Sequence, residues 1–177
     1  MSSETHPKLA LITGATGGIG AATSLALARA GYSIALHYNT APSTHVSSTL
    51  SAIREIHSSL PNPHPTAQSF QADLSSYDAI RQLHASVVEA MGHPDVLFLN
   101  AGSTAGVSGV KSIAEIDVEV FEQTWRINTA GPFLLTQLCL PSMEERGWGR
   151  VVFNSSVAGI TGGVVGGHYA SSKSGLQ

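Results

Sequence analysis

TGATGGIG, residues 13–20, is the stretch of this 177-residue chain that decides the fold. The apolar run Lys8–Thr13 before it predicts a buried strand, and the alanine-rich segment Gly18–Ala30 after it predicts a helix that ends at Gly31. Glycines at such a junction allow a tight turn and a close approach to a phosphate, whose charge the helix N-terminus stabilises. The spacing is TGxxxGxG rather than GxGxxG, and a glycine-rich turn without a ligand is the alternative. Because the stretch directly follows the first strand, nucleotide binding is favoured.

Strand-like and helix-like segments alternate along the rest of the chain. Apolar residues recur at three- and four-residue steps over Val46–Leu60 and Ile80–Met91, which predicts amphipathic helices. A long helical region covers Asp117–Arg146 with an interruption predicted near Gly131-Pro132, and another helix begins at Tyr169. The predicted strands are Lys8–Thr13, Ser33–Tyr38, Ala67–Ala72, Asp95–Leu99 and Arg150–Asn154.

Repeated β-α units predict an α/β fold, a Rossmann-type doubly wound parallel sheet in a single domain over residues 1–177. A sheet of this type normally continues past its fifth strand, so we expect it to be incomplete at its C-terminal edge. The apolar residues Val151–Phe153 would then line an uncovered edge, and such edges promote association between chains. The 177-residue chain is therefore expected to be poorly soluble and inactive alone.

Composition excludes several classes of function. Hydrophobic residues make up 42% of the chain and charged residues 12%, which is typical of a well-packed core and not of a disordered binder. The net charge of −3, with no basic cluster, argues against nucleic-acid binding. The single cysteine, Cys139, is predicted to be a core thiol, and the eight scattered histidines predict no metal site. No signal peptide is visible in Met1–Lys8 and no apolar run could span a membrane, so we expect a soluble, cytoplasmic protein.

Tyr169 and Lys173 form a candidate catalytic pair. At spacing i, i+4 their side chains share one face of the predicted helix. An ammonium beside a phenol favours its ionised form, and such a phenol can donate a proton to a carbonyl oxygen or accept one from an alcohol. Ser156, thirteen residues earlier and just after the fifth strand, could hold the substrate oxygen, with Ser155 as the competing candidate. An exposed helix face and a helix-capping serine are the structural alternatives.

The end of the second predicted strand bears on the choice of cofactor. Dinucleotide-binding folds often place an acid there, about 20 residues past the glycines, to bind the adenosine ribose. Here the residues at 37–40 are His-Tyr-Asn-Thr, without an acid and without an arginine. This favours NADP slightly and leaves NAD possible.

Taken together, these residues resemble the short-chain dehydrogenase/reductase family. The matches fall in family order and cover essentially the whole chain. They are the TGATGGIG loop, Asp73-Leu74, Asn100-Ala101-Gly102, Asn128, Ser156, Tyr169 and Lys173.

The resemblance implies a role for each matching position. Tyr169 would be the general acid/base, Lys173 would favour its ionised form and hold the nicotinamide ribose, and Ser156 would orient the carbonyl. Asn128 would anchor a water that relays protons to Lys173. The implied cofactor-binding residues are Gly14, Thr16, Gly18, Ile19 and Gly20 at the pyrophosphate, Asn39 after the second strand, Asp73 and Leu74 at the adenine, and Asn100, Ala101 and Gly102 beside the central strand, with Tyr169 and Lys173.

Within the family, the loops are most similar to 3-oxoacyl-acyl-carrier-protein reductases. This implies a small-molecule or acyl-carrier-linked carbonyl substrate and a homo-oligomer at full length. Gly17 stands where NADP-preferring relatives often carry arginine, and the chain ends before the family's last two strands and substrate loop. The alternative to a carbonyl reductase is a truncated, non-catalytic fragment that binds nucleotide weakly or only associates with other subunits.

Overall fold

Five parallel strands form one sheet in the computed structural model, which describes residues 6–61, 64–109, 112–163 and 165–177. The strands are β1 (Leu9–Ile12), β2 (Ser33–Tyr38), β3 (Ala67–Gln71), β4 (Val96–Leu99) and β5 (Arg150–Phe153). The polar N-terminal segment considered for a signal peptide lies partly outside the described residues.

The strand order is β3-β2-β1-β4-β5, so the chain starts in the middle of the sheet, moves outward to β3 and then returns to the other side of β1. Leu11 of β1 pairs with Ala35 of β2 on one side and with Leu97 of β4 on the other, and all four residues of β1 are buried. This is the doubly wound α/β order, which confirms the predicted fold class. The order in which strands are added to the sheet reverses between β1 and β4, and sheets of this type bind ligands at that point.

Helices cover both faces of the sheet. They are α1 (Gly18–Arg29), α2 (Ser43–Ser58), α3 (Tyr77–Met91), α4 (Val118–Trp125), α5 (Gly131–Glu145), α6 (Ala158–Thr161) and α7 (Gly167–Ser174). Ile53 of α2 packs with Ile34 and Leu36 in the core on one face, and Leu135 of α5 packs with Leu97 in the core on the other. Cys139 is fully buried in the second core, where burial raises the pKa of its thiol to about 12.

The long helical region is interrupted near Gly131-Pro132, as predicted. The interruption is a π-helical turn over Arg126–Ala130 that joins α4 to α5 and ends directly before Gly131. Gly131 begins α5, and Pro132 lies in its first turn, where a missing N–H leaves no hydrogen bond unmade. The last helix begins two residues before Tyr169, at Gly167.

The edge of the sheet at β5 exposes apolar side chains. Among the described residues β5 pairs only with β4, and Val152 and Phe153 are 46% and 38% exposed. A further strand is expected beside this edge. The association of 177-residue chains with one another through the edge stays a prediction. In the described part of the chain, no helix is long and apolar enough to cross a membrane.

Candidate active site

A cleft of about 1220 Å³ lies at the carboxyl ends of the strands. Its walls come from the loop after each strand: Gly14 follows β1, Asn39 follows β2, Asp73 follows β3, Asn100 follows β4 and Ser155 follows β5. All the predicted site residues line this cleft except Gly20 and Asn128, which are buried behind it. The fold thus brings together residues that are as much as 159 positions apart in sequence, from Gly14 to Lys173.

The glycines of the loop have two different reasons to be there. Gly14 has a φ of +62°, a conformation that favours glycine, and a Cβ on Gly20 would collide with the Gly14 carbonyl oxygen and lie 2.8 Å from Ala15 Cα. Both glycines are therefore required by the loop itself. Gly18 is different, because a Cβ there would meet no protein atom within 4 Å. Gly18 lines the cleft at the start of α1. The absence of a side chain there leaves space for a ligand to approach the backbone.

The start of α1 suits an anion. The first turn of α1 carries no acidic residue, and the leading N–H groups of a helix have no partner within the helix. Thr16 and Ile19 flank this position in the cleft, and Ile19 is 59% exposed. A pyrophosphate would find backbone donors, a favourable dipole and open space here, so the residues present fit a dinucleotide.

Asn100 ties the central loops together. Its backbone N–H and that of Ala101 donate to the Thr13 hydroxyl at 2.9 and 3.0 Å. Its side-chain amide donates to the Gly14 carbonyl at 3.2 Å and accepts a hydrogen bond of 2.8 Å from the Asn154 side chain. The ends of β1, β4 and β5 are therefore fixed relative to one another beneath the cleft.

Tyr169 and Lys173 both project from α7 into the cleft. Lys173 is only 3% exposed; its Nζ donates to the Asn154 carbonyl at 2.8 Å and lies 5.9 Å from the centroid of the Tyr169 ring. Burial lowers the pKa of Lys173 from its ordinary value. The predicted pair therefore shares one helix face and one pocket, and the ammonium is held by a fixed acceptor and not left free in solvent.

The two candidate serines differ in their hydrogen bonds. The Ser155 hydroxyl donates to the Lys173 carbonyl at 2.8 Å, which joins the end of β5 to α7. The Ser156 hydroxyl accepts from the Ala158 N–H at 3.2 Å, and among the described residues it has no acceptor for its own hydrogen. Ser156 thus keeps a donor that can be directed at a substrate oxygen in the cleft, whereas Ser155 is committed to the backbone.

Asn128 lies in the π-helical turn and is fully buried. Its Oδ1 accepts from the Ser103 N–H at 2.8 Å, and its Nδ2 donates to the Ser103 carbonyl and the Ser172 hydroxyl, both at 2.9 Å. A Cβ on Gly102 would lie 3.3 Å from Lys173 Nζ and 3.5 Å from Asn128 Oδ1. The absence of a side chain at Gly102 therefore leaves a small space that both groups face.

Sequence reasoning missed His37, whose ring joins two walls of the cleft. It is 1% exposed; its Nδ1 accepts from the Gly14 N–H at 3.2 Å, and its Nε2 lies 3.0 Å from the Ala72 carbonyl oxygen. A histidine in a strand gives no signal of this kind in the sequence, since neither partner is close to it along the chain. Its neighbour Asn39 lines the cleft as predicted, and its backbone carbonyl accepts from the Gln71 side chain at 2.8 Å.

The part of the chain that the structure describes holds no group of three or more His, Cys, Asp or Glu side chains arranged to bind a metal ion. Among the described residues that line the cleft, Asp73 and Lys173 are the only charged ones.

The doubly wound sheet, the glycine loop and the pairing of Tyr169 with the buried Lys173 define a nucleotide-binding α/β protein of the dehydrogenase type. The family model described as short chain dehydrogenase matches residues 8–177, so the chain belongs to the short-chain dehydrogenase family.

Individual relatives agree with this assignment. The oxidoreductase YmfI of Bacillus subtilis is 34% identical over 157 residues, covering 88% of this chain and 58% of the relative. A 3-oxoacyl-[acyl-carrier-protein] reductase of Aquifex aeolicus is 28% identical over 177 residues, covering 99% of this chain and 66% of the relative. The crystal structure of NAD+-bound xylitol dehydrogenase is similar with a TM-score of 0.81 at 29% identity, covering 98% of this chain and 62% of that one. The chain thus spans roughly three-fifths of the length of the curated relatives it matches.

Proposed function

We propose that this protein is an NAD(P)-dependent oxidoreductase that reduces a carbonyl, in a ketone or a 3-oxoacyl group, to an alcohol. The observation that carries the proposal is the position of Lys173, buried and bonded to the Asn154 carbonyl beside the Tyr169 ring, in the same cleft as the glycine loop. A lysine on a solvated helix face would have neither the burial nor the fixed acceptor.

The chain's own residues supply the proton and the orientation. Ser156 donates its unused hydrogen to the carbonyl oxygen of the substrate and turns that oxygen toward Tyr169. Tyr169 then transfers its phenolic proton to the same oxygen, and the nearby Lys173 ammonium stabilises the phenolate that remains. A bound nicotinamide cofactor supplies the hydride to the carbonyl carbon.

Proton return is proposed to pass through the space beside Gly102. Lys173 Nζ and Asn128 both face this space, and the Asn128 side chain is held by Ser103 and Ser172. A water held there by Asn128 would hand protons to Lys173 after each turnover. Asn128 is in this view a positioning residue for the relay.

The cofactor is proposed to be NADP, with NAD as the alternative. The residue after β2 is Asn39 and not an acid, so no carboxylate at that position repels a 2′-phosphate. The structural relative binds NAD+, which is why the alternative is retained. The 3-oxoacyl reductase among the relatives supports a small or acyl-carrier-linked carbonyl substrate, and we propose a homo-oligomer for the full-length protein.

The test of the proposed function is Tyr169→Phe in the natural full-length protein, with Tyr77→Phe as the matched control. Tyr77 is 39% exposed at the start of α3, so its hydroxyl can be removed at little cost. Loss of the general acid should lower kcat for carbonyl reduction by about 10²–10⁴-fold, with the Kd for NADPH nearly unchanged. The control should keep the parent's rate. Turnover by Tyr169→Phe within a few-fold of the parent would remove Tyr169 from the proposed mechanism.

A further inference from the structure

His37 connects two walls of the cofactor cleft, the glycine loop and the part assigned to the adenine. Gly14, its partner on one side, begins the glycine loop that would hold the pyrophosphate. Ala72, its partner on the other side, directly precedes Asp73 and Leu74, which line the part of the cleft assigned to the adenine. A buried ring at the end of β2 therefore joins the loop after β1 to the end of β3, beside the backbone hydrogen bonds from the Ala15 N–H to the His37 carbonyl at 2.9 Å and from the Ala72 N–H to the Tyr38 carbonyl at 3.0 Å.

The partners of His37 fix its protonation state. The Gly14 N–H can only donate, so Nδ1 must carry a lone pair; the Ala72 carbonyl can only accept, so Nε2 must carry the hydrogen. The ring fits its site only as the neutral Nε2–H tautomer. A proton added to Nδ1 would face the Gly14 N–H, and one of the two donors would have to move.

The His37 ring is also part of a chain of hydrogen bonds that runs from Lys173, beside the end of β5, to Ala72, beside the end of β3. Lys173 Nζ bonds the Asn154 carbonyl, the Asn154 side chain bonds Asn100, and the Asn100 amide bonds the Gly14 carbonyl. Gly14 is thus held from the catalytic side through its carbonyl and from the adenosine side through its N–H. The His37 ring is the side chain that makes the bond on the adenosine side.

We propose that neutral His37 is the positioning residue that aligns the glycine loop with the adenine wall, so that cofactor affinity falls when His37 is protonated. The inference rests on the proposed function, because the cleft must bind a dinucleotide. It adds a residue and a pH dependence that the tyrosine-lysine chemistry does not require.

The surroundings of His37 leave few other groups to account for such a pH dependence. Burial lowers the pKa of His37 from its ordinary value. The β1 loop, from residue 13 to 20, has no titratable side chain. Beyond Ala72 on the β3 side, the Asp73 carboxylate accepts from the Ser75 N–H and hydroxyl at 2.9 and 2.8 Å.

The helices packed over this face contribute mainly apolar side chains; the further titratable group of α3 is His84, which lies 6.4 Å from His93 before β4 and whose pKa burial lowers. Strand alternation places His37 on the same face of β2 as Ala35, in the layer where Ile80 of α3 and Leu135 of α5 are buried. The charged pair of α3, Asp78 and Arg81, is bonded to itself at 3.0 Å on the exposed surface. Arg126 of the π-helical turn stacks over Tyr77 at 5.8 Å, and the neighbouring Tyr38 of β2 lines the cleft.

Two amide substitutions separate the two hydrogen bonds. In His37→Asn the amide oxygen can replace Nδ1 as the acceptor for Gly14, and in His37→Gln the amide nitrogen can replace Nε2 as the donor to Ala72. The Kd for NADPH is measured by calorimetry between pH 8 and pH 5.5. The parent should bind more weakly at the acidic end, by less than about tenfold because burial keeps the pKa of His37 below its ordinary value of about 6.5. His37→Gln should be about tenfold weaker at pH 8 because the part-buried Gly14 N–H loses its acceptor. His37→Asn should bind within a few-fold of the parent at pH 8 and lose most of the pH dependence.

The matched control is His57→Asn on α2, a second buried histidine whose pKa burial also lowers and which does not line the cleft. It should lose thermal stability and keep the parent's pH profile for NADPH. A parent affinity that is flat, or that tightens on acidification because an imidazolium binds phosphate directly, overturns the inference. So does an unchanged pH profile in His37→Asn.

A second measurement works without cofactor. The ¹⁵N spectrum of the unliganded protein at pH 7.5 should show His37 as the Nε2–H tautomer, and an Nδ1–H tautomer or an imidazolium overturns the inference. Failure of the parent to bind either NADPH or NADH at pH 8 would instead count against the proposed function, so the two failures are distinguishable.

Discussion

Replacing Gly20 by alanine tests whether the glycine loop is built as described. The added Cβ would collide with the Gly14 carbonyl oxygen and approach Ala15 Cα to 2.8 Å and Asn100 Nδ2 to 2.9 Å. Two of these neighbours are backbone atoms, which cannot swing away as the end of a flexible side chain can. Overpacking of this kind costs about 1–3 kcal/mol, and the shift of Gly14 would also disturb the bonds of that residue to Asn100 and His37. We therefore expect Gly20→Ala to lower the free energy of unfolding by about 2 kcal/mol and to weaken NADPH binding.

Gly18→Ala is the matched comparison, two residues earlier in the same helix. Its Cβ meets no protein atom within 4 Å, and alanine in a helix is favoured over glycine by about 0.5–1 kcal/mol. The substitution should leave stability unchanged or slightly raised. The methyl group enters the cleft where the pyrophosphate would approach, so the Kd for NADPH should rise about tenfold or more, which corresponds to about 1.4 kcal/mol.

Urea denaturation followed by circular dichroism, together with calorimetric titration of NADPH, gives both quantities for the parent and the two variants. The expected pattern is a loss of stability only in Gly20→Ala and a loss of affinity in both. A Gly18→Ala protein that binds NADPH as tightly as the parent would show that no ligand approaches α1 at this position. A Gly20→Ala protein as stable as the parent would contradict the packing of the loop.

Three further predictions concern the cofactor, the buried amide and acid stability. Asn39→Asp should reverse a preference for NADPH over NADH, since a carboxylate after β2 repels the 2′-phosphate. Parallel titrations of the parent and the variant with each cofactor check this. Tighter binding of NADH than of NADPH by the parent would refute the preference itself. Asn128→Ala removes three hydrogen bonds and leaves the part-buried N–H and carbonyl of Ser103 without their partners. The unfolding free energy, measured by urea denaturation, should therefore fall by about 2–4 kcal/mol. A loss under about 0.5 kcal/mol would contradict the role of Asn128 as a buried anchor. Burial lowers the pKa values of His57 and His84 in the folded protein, whereas in the unfolded chain a histidine has its ordinary pKa of about 6.5. Below that pH the unfolded state therefore binds more protons than the folded state. Stability should then be fully present above that pH and fall as the pH drops below it, and a urea midpoint that is constant from pH 7.5 to pH 5.5 would count against this.

Much of the fold follows from local pattern. Each strand was predicted to within one residue at both ends, because an apolar run bounded by glycine or polar residues has few alternatives in a buried parallel sheet. The break in the long helix was predicted near Gly131-Pro132 because proline disfavours a helix interior. The sequence did not reveal its form, a π-helical turn over Arg126–Ala130 in which Asn128 turns inward to bond Ser103 and Ser172. The short helices at Ile113–Glu115 and Ala158–Thr161 were missed, although Ser112 and Glu115 form a capping box that the sequence displays.

The candidate site was predictable only in part. Residues that carry chemistry by type and spacing, such as Tyr169 and Lys173, could be found from the sequence, and the structure places them in one cleft. The preference for Ser156 over Ser155 gains support only from the three-dimensional hydrogen bonds, since the two hydroxyls are adjacent in sequence and differ in their acceptors. His37 could not be found at all, because its partners Gly14 and Ala72 lie in the loops after β1 and β3, far from it along the chain.

The most direct test of the central claim is a crystal structure of the protein with bound NADPH. The account predicts the pyrophosphate at the start of α1 beside Gly18, the adenine against Asp73 and Leu74, and the nicotinamide ribose within hydrogen-bond distance of Tyr169 or Lys173. A cofactor found outside this cleft, or no cofactor in crystals grown at saturating NADPH and at saturating NADH, would contradict it.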